Sequence, residues 1–212
     1  MPQGRPEAEQ AYWLSATELQ ALFASLGALE ARHNVDIQLD FDDANESDYF
    51  TALPLLKRFS RCGAFFVPTD RIDQPGFLTS RHIRQLAQEG MILGSHGTDH
   101  VPWTELSNNE LSRQLRHSKQ ILENLTGKRV KGAAAPHGLW SPRVVGQVLA
   151  AGYERLHTCG ERPCGPYGTL NHRLVVRRGD DMSAVIAKKL QILRRVVHKA
   201  KDLHDRFFVT AA

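Results

Sequence analysis

Three cysteines in 212 residues are too few, and odd in number, to staple a fold together. Cys159 and Cys164 stand five apart with no second pair, which excludes a zinc knuckle and leaves a loop with free thiols. No apolar run approaches the roughly 18 residues that a membrane-spanning helix needs. The opening stretch, Met1-Pro2-Gln3-Gly4-Arg5-Pro6-Glu7, lacks the basic-then-apolar order of an export signal. With unpaired thiols, that sets the expectation of a cytoplasmic location. An excess of one charge is slight: the net charge is +4, and the surplus gathers late, from Arg177 and Arg178 through Lys188, Lys189, Arg194 and Arg195 to Lys199 and Lys201. No nucleic-acid-binding motif accompanies it, so no nucleic acid partner is expected. The basic residues read as the solvated face of a closing helix, a face also suited to peripheral contact with a membrane. There is no internal repeat and no linker. A single domain is expected over 1–212, with a loose tail at 1–14 and an amphipathic helix at 182–205.

What is present is an alternation. Ser15-Ala16-Thr17-Glu18 has capping-box spacing, and Leu19, Leu22, Phe23, Leu26 and Leu29 continue it as the apolar face of a helix. Val35 to Phe41 reads as a strand buried on both faces. A helix through Phe50, Leu53, Leu56 and Phe59 follows, with Pro54 in its first turn or at a kink. Strands are expected at Gly63–Val67, Met91–Gly94, Val130–Ala135, Tyr153–Thr158 and Arg173–Arg177. The helices between them run from about Ser80 to Glu89, from the Ser107 cap to Leu125, and from the Ser141-Pro142 cap to Ala151. Such an order implies parallel strands joined by helical crossovers, an α/β fold.

Two stretches carry chemistry. The first strand runs into Asp42-Asp43, and a carboxylate pair at the end of a buried strand is costly unless it has a task. The strand at Met91–Gly94 runs into His96-Gly97-Thr98-Asp99-His100. Imidazoles four residues apart reach one side of a helix or tight turn and suit a single cation. With Asp43 they form a two-histidine, one-carboxylate set of the kind that leaves a coordination position open for water. Zinc suits it best, and cobalt, manganese or iron would also fit. Trp103 and Trp140 follow motif residues, where an indole serves equally as a stacking face for a sugar or as packing.

Phe41-Asp42-Asp43, Ser95-His96 with His100, and Pro136 with Gly138 stand in the order and rough spacing of the polysaccharide deacetylases, the NodB-like carbohydrate esterases, which this chain resembles over residues 35–160. Leu53-Pro54-Leu55-Leu56, Ala64-Phe65-Phe66 and Ala151-Gly152-Tyr153 are similar as well. The resemblance implies a distorted (β/α) barrel and hydrolysis of an N-acetyl group on an amino sugar or sugar-containing precursor. It implies that Asp43, His96 and His100 hold the metal and that Asp42 is the general base toward a water activated there. The oxyanion would be met by the metal and a backbone N–H of the Pro136-His137-Gly138 turn.

Departures from the pattern are specific. Ala44 stands where glycine is usual, and Ala134 stands where an arginine commonly orients the base. The late leucine-x-x-histidine motif that supplies a general acid has no clear match. His137, His157 and His172 are the candidates, and His157, at a strand, is preferred. These gaps keep two alternatives in view: a metal-dependent hydrolase of cyclic amides or imides, acting on a small amide, and a catalytically silent deacetylase-like binding protein.

Overall fold

A computed structural model describes residues 11–159 and 168–187 and the backbone of residues 206–211. Seven parallel strands close into a barrel in sequence order, β1 (Asp36–Asp42), β2 (Gly63–Val67), β3 (Ile92–Ser95), β4 (Gly132–Ala134), β5 (Arg155–Cys159), β6 (Leu170–Val175) and β7 (Arg206–Ala211). β1 pairs with both β2 and β7 and seals the ring. The distortion sits at β4, three residues long and joined to β3 by the single register pair Ser95↔Ala133. Strand ends therefore point one way, and the loops that follow them share one mouth.

Helices cover the outside. α1 (Ala16–His33) starts at a complete Ser15–Glu18 capping box and ends on Asn34 in the left-handed region. Its Leu19, Leu22, Phe23, Leu26 and Leu29 are all buried, each adding about 1.5–3 kcal/mol of burial. α2 (Leu53–Arg58) continues directly from a π-helical turn at Asp48–Ala52, and Pro54 lies at that junction. α3 (Ser80–Gln88), α4 (Asn108–Thr126) and α5 (Pro142–Ala150) carry the crossovers, each opened by the side chain of its cap, Thr79, Ser107 or Ser141. No helix among the described residues is long and apolar enough to cross a membrane.

Beyond shifts of one or two residues at strand ends, expectation and structure differ in three places. β6 begins at Leu170 rather than Arg173. β7 was not foreseen. Residues 11–14 are not a loose tail: the Ala11 carbonyl accepts from the Arg178 N–H at 2.8 Å, the Arg177 guanidinium lies over the Tyr12 ring, and Leu14 packs on the core. The closing helix begins at residue 182 and is described as far as 187. Its remainder, residues 1–10 of the tail, and Cys164 lie outside the described residues.

Two cores result. The larger lies between the helices and the outer face of the barrel. The smaller, Ala64, Phe66 and Ala134, plugs the lumen, where a Cβ on Gly94 would come within 2.3 Å of the Phe66 ring. Around that plug the lumen is polar: Asp40 and Asp42 on β1, His157 on β5 and Asn171 and Arg173 on β6 are all buried.

Candidate metal centre and active site

Adjacent strand residues face opposite ways, so Asp42 and Asp43 share a site only if the chain turns between them. It does. Asp43 (φ 76°) and Ala44 (φ 56°) are both left-handed, which swings the second carboxylate back over the barrel mouth. Alanine at 44 bears the strain that glycine would escape, about 1–2 kcal/mol. Leu78 N–H donates to the Ala44 carbonyl at 2.8 Å and holds the turn.

The histidine loop is built from outside. His96 directly follows β3 and is buried, and its Nδ1 donates to the Ala134 carbonyl at 2.8 Å, leaving Nε2 to face the acids. His100 reaches the same place not from a helix but from a left-handed turn at φ 62°. Gln114 on α4 secures that turn, accepting from the Thr98 N–H at 3.2 Å and donating to Asp99 at 2.6 Å. Gly97 (φ 79°) is required there, since a Cβ would stand 3.0 Å from both Gln114 and the Trp103 indole nitrogen. Trp103 itself is fully buried and is packing rather than a sugar platform.

The side chains converge. One donor atom each from Asp43, His96 and His100 lies within 4.8 Å of the others. His100 Nε2 is 3.0 Å and His96 Nε2 3.9 Å from Asp43 Oδ1. Burial holds the His96 imidazole below its ordinary value, in the neutral form that a metal takes. Burial by itself would raise Asp43, but the hydrogen bond from His100 and the positive groups around it pull the carboxyl well below the usual range. Two imidazoles, His96 with its Nδ1 tied to the Ala134 carbonyl, and one carboxylate fit a divalent cation.

Beside this set lies Asp42. Burial also opposes its ionisation, and the charge of Arg173 outweighs it, holding the carboxyl below its ordinary value. Arg173 is fully buried and sets Nη1 on Asp42 Oδ1 at 2.6 Å and Nη2 on Oδ2 at 2.7 Å. This is the orienting group absent at Ala134, arriving from β6 instead of β4. Sequence reasoning missed it, as it missed Arg71, whose Nη1 donates to Asp43 Oδ1 at 2.7 Å while its guanidinium rests on the Phe77 ring. Asp48 was missed too: it is buried five residues on, Oδ2 lacks a partner among the described residues, and burial, with the charges of Asp43 and Asp42, raises its carboxyl well above the ordinary value.

The remaining candidates separate. Pro136-His137-Gly138 forms a tight turn past β4, with the exposed His137 ring 4.7 Å from that of His100. Gly138 N–H already donates to the Ala135 carbonyl at 2.9 Å, so the amide of this turn left for a ligand is that of His137. His157 is not among the metal-set residues. It lies in the lumen, its Nδ1 2.8 Å from Asp40 Oδ2 and its ring 4.5 Å from that of Phe66. His172 faces outward from β6, bonded to Thr158 and near the Trp140 ring.

Comparison with known proteins agrees with this geometry. A family model described as polysaccharide deacetylase matches residues 31–156, more than half of the chain. The peptidoglycan-N-acetylmuramic acid deacetylase PdaA of Bacillus subtilis is 28% identical over 121 residues, 56% of this chain and 44% of that protein. The chain thus spans less than half the length of the curated relatives it matches. A de-N-acetylase from Aggregatibacter actinomycetemcomitans has the same fold at 15% identity, with a TM-score of 0.73 over 89% of this chain and 94% of that one. The Streptococcus pyogenes deacetylase PplD, solved with acetate, superposes with a TM-score of 0.67 at 19% identity, covering 86% and 80% of the two chains. Strands β1 to β4, the acid pair and the histidine loop fall within the matched segment, and the chain belongs to the polysaccharide deacetylase family.

Proposed function

We propose that this protein is a metal-dependent hydrolase that removes an N-acetyl group from an amino sugar or a sugar-containing precursor. The observation that carries the reading is the pairing of two differently served carboxylates at one strand end. Asp43 joins His96 and His100 as a ligand set, while Asp42 is kept from that set by the two-pronged grip of Arg173.

A divalent cation, zinc by the donor set, would be held by Asp43, His96 and His100, where it supplies Lewis-acid polarisation of the acetyl carbonyl and makes water easier to deprotonate. The chain's own groups do the rest. Asp42, ionised and fixed, accepts the proton of the attacking water at a carboxylate oxygen. The His137 N–H at the rim is placed to donate to the developing oxyanion. The C–N bond breaks as the amine takes up the proton that Asp42 accepted, giving acetate and a free amino sugar. Arg173 supplies the support for Asp42 that Ala134 lacks, which favours a hydrolase over a silent binding protein.

Acetate release by the zinc-loaded protein from a panel of N-acetylated amino sugars, beside Asp42→Asn, tests this. Release that needs metal and vanishes in the variant is expected. Zinc bound through His96 and His100 with no acetate from any substrate would overturn it.

A further inference from the structure

Beneath the proposed site the lumen holds a second polar layer that the reaction does not touch. Asp40 precedes Asp42 by two residues on β1, so its side chain points to the same inner face one layer deeper. It is wholly buried, and an isolated buried carboxylate is expensive. Its Oδ2 is met from two sides: His157 Nδ1 stands at 2.8 Å and Arg173 Nη1 at 3.7 Å. The same Nη1 is bonded to Asp42 at 2.6 Å. One guanidinium thus lies between two carboxylates, one at the mouth and one below.

The position of His157 decides what it can do. Its register partners are Ala134 on β4 and Asn171 on β6. Nε2 faces the Asn171 amide nitrogen at 3.4 Å, and a Cβ on Gly132 would lie 3.4 Å from it. An ionised carboxylate only accepts, so Nδ1 carries the hydrogen toward Asp40. An amide nitrogen only donates, so Nε2 is the acceptor toward Asn171. Both nitrogens thus meet partners within the lumen, Asp40 and Asn171.

We propose that Asp40, fixed by the Nδ1–H of His157, is a positioning residue that holds Arg173 in register with Asp42, and that His157 serves the reaction as this buried brace rather than as its proton donor. The argument is one of charge and geometry. A guanidinium has five donors in a rigid fork, and it presents two of them squarely to Asp42 only while its plane is fixed. Cys159 Sγ, at 3.8 Å from Nη2, and the Phe66 face, with its centroid 5.4 Å from the guanidinium carbon, are weak restraints. Asp40 is the second full charge, and it is itself anchored by His157. The inference rests on the proposed deacetylase reading for its kinetic consequences and on the lumen geometry alone for its structural ones.

The test pairs two His157 variants with two leaving groups. In His157→Asn the amide stands where Nδ1–H stood, so a brace is largely kept, and His157→Ala removes it. The expected result is that His157→Ala and Asp40→Asn lower kcat for acetate release about a hundredfold, the scale of a small misplacement of a reacting group. KM and zinc affinity should stay unchanged, and His157→Asn should recover most of the rate. Loss should be equal on an N-acetyl sugar and on an activated aryl acetate, whose leaving group needs no proton. If His157→Asn is as slow as His157→Ala on the amide while both turn over the aryl ester normally, His157 is the acid and the proposal falls. A variant that loses zinc binding and activity together would also overturn it, in favour of a purely structural role.

A readout on the unaltered protein needs no turnover: the ¹⁵N shifts of the His157 ring. A hydrogen on Nδ1 is expected, and a neutral ring protonated at Nε2 alone would refute the brace. Should the unaltered protein release no acetate at all, the function proposed above fails, while the ring shifts still decide this one.

Discussion

Arg173 spans 131 residues of sequence to lay both terminal nitrogens on the two carboxylate oxygens of Asp42, at 2.6 and 2.7 Å. Its side chain has no exposure and that of Asp42 has 12%, so the pair is shielded from solvent, and breaking one side of such a pair costs about 3–5 kcal/mol. Arg173→Met should therefore lower thermal stability by that amount and abolish acetate release. Arg173→Lys keeps the charge but not the fork. It should fold and bind zinc, yet lose on the order of a hundredfold in kcat, as steady-state kinetics and a melting curve would show together.

The ligand set predicts a metal-linked stability. His96→Ala and His100→Ala should each reduce zinc binding to background by metal analysis and titration calorimetry, while Asp42→Asn should still bind. Zinc at a hundredfold over its dissociation constant should stabilise the unaltered protein by about 2.7 kcal/mol, an effect a chelator reverses. Equal shifts in the histidine variants would mean that the ion binds elsewhere.

Gly138 carries a steric prediction. Its φ is +70°, and a Cβ there would lie 2.6 Å from the Cβ of Cys159 and 2.8 Å from its nitrogen. Backbone cannot yield as a flexible side chain can, so Gly138→Ala must displace the turn bearing His137. A fall in kcat with zinc affinity retained is expected, along with destabilisation of roughly 1–3 kcal/mol from overpacking. Unchanged kinetics would remove this turn from the catalytic apparatus.

Far from the site, Arg61 sets both terminal nitrogens on Glu30, at 2.9 and 2.6 Å, and the Ile37 N–H donates to the same carboxylate at 3.0 Å. The hydrogen bond from Arg61 pulls Glu30 below its ordinary value. A depressed acid stabilises the fold above its unfolded value, about 4.3, and loses that contribution as pH falls through the lower folded value. Glu30→Gln should cost about 1 kcal/mol at neutral pH, the pair being partly exposed. Melting curves of the two proteins should draw together below about pH 4. A gap independent of pH would show that packing, not charge, holds this corner.

How much of this was legible beforehand varies with the range of the interaction. Helix starts were plain because a cap is a local device: Ser15, Ser107 and Ser141 each satisfy donors within three residues. The ligand set was plain for a related reason. Asp43 follows one strand and His96 and His100 follow another, and parallel strands in a barrel bring their ends to one mouth. β6 was misplaced because Leu170-Asn171-His172-Arg173 lacks alternation of apolar and polar residues, all four being buried. Its inward side serves a polar lumen, which periodicity cannot announce.

The sequence by itself determined the order of strands and helices as far as β6, the family, and which carboxylate and imidazoles meet, since each depends on local pattern and on which end of a strand a residue occupies. Only the tertiary structure decided which arginine grips Asp42 and what His157 touches. Nothing in the chain near residue 42 specifies residue 173. A buried guanidinium finds its carboxylates through the closure of the barrel, and that closure is a property of all seven strands at once.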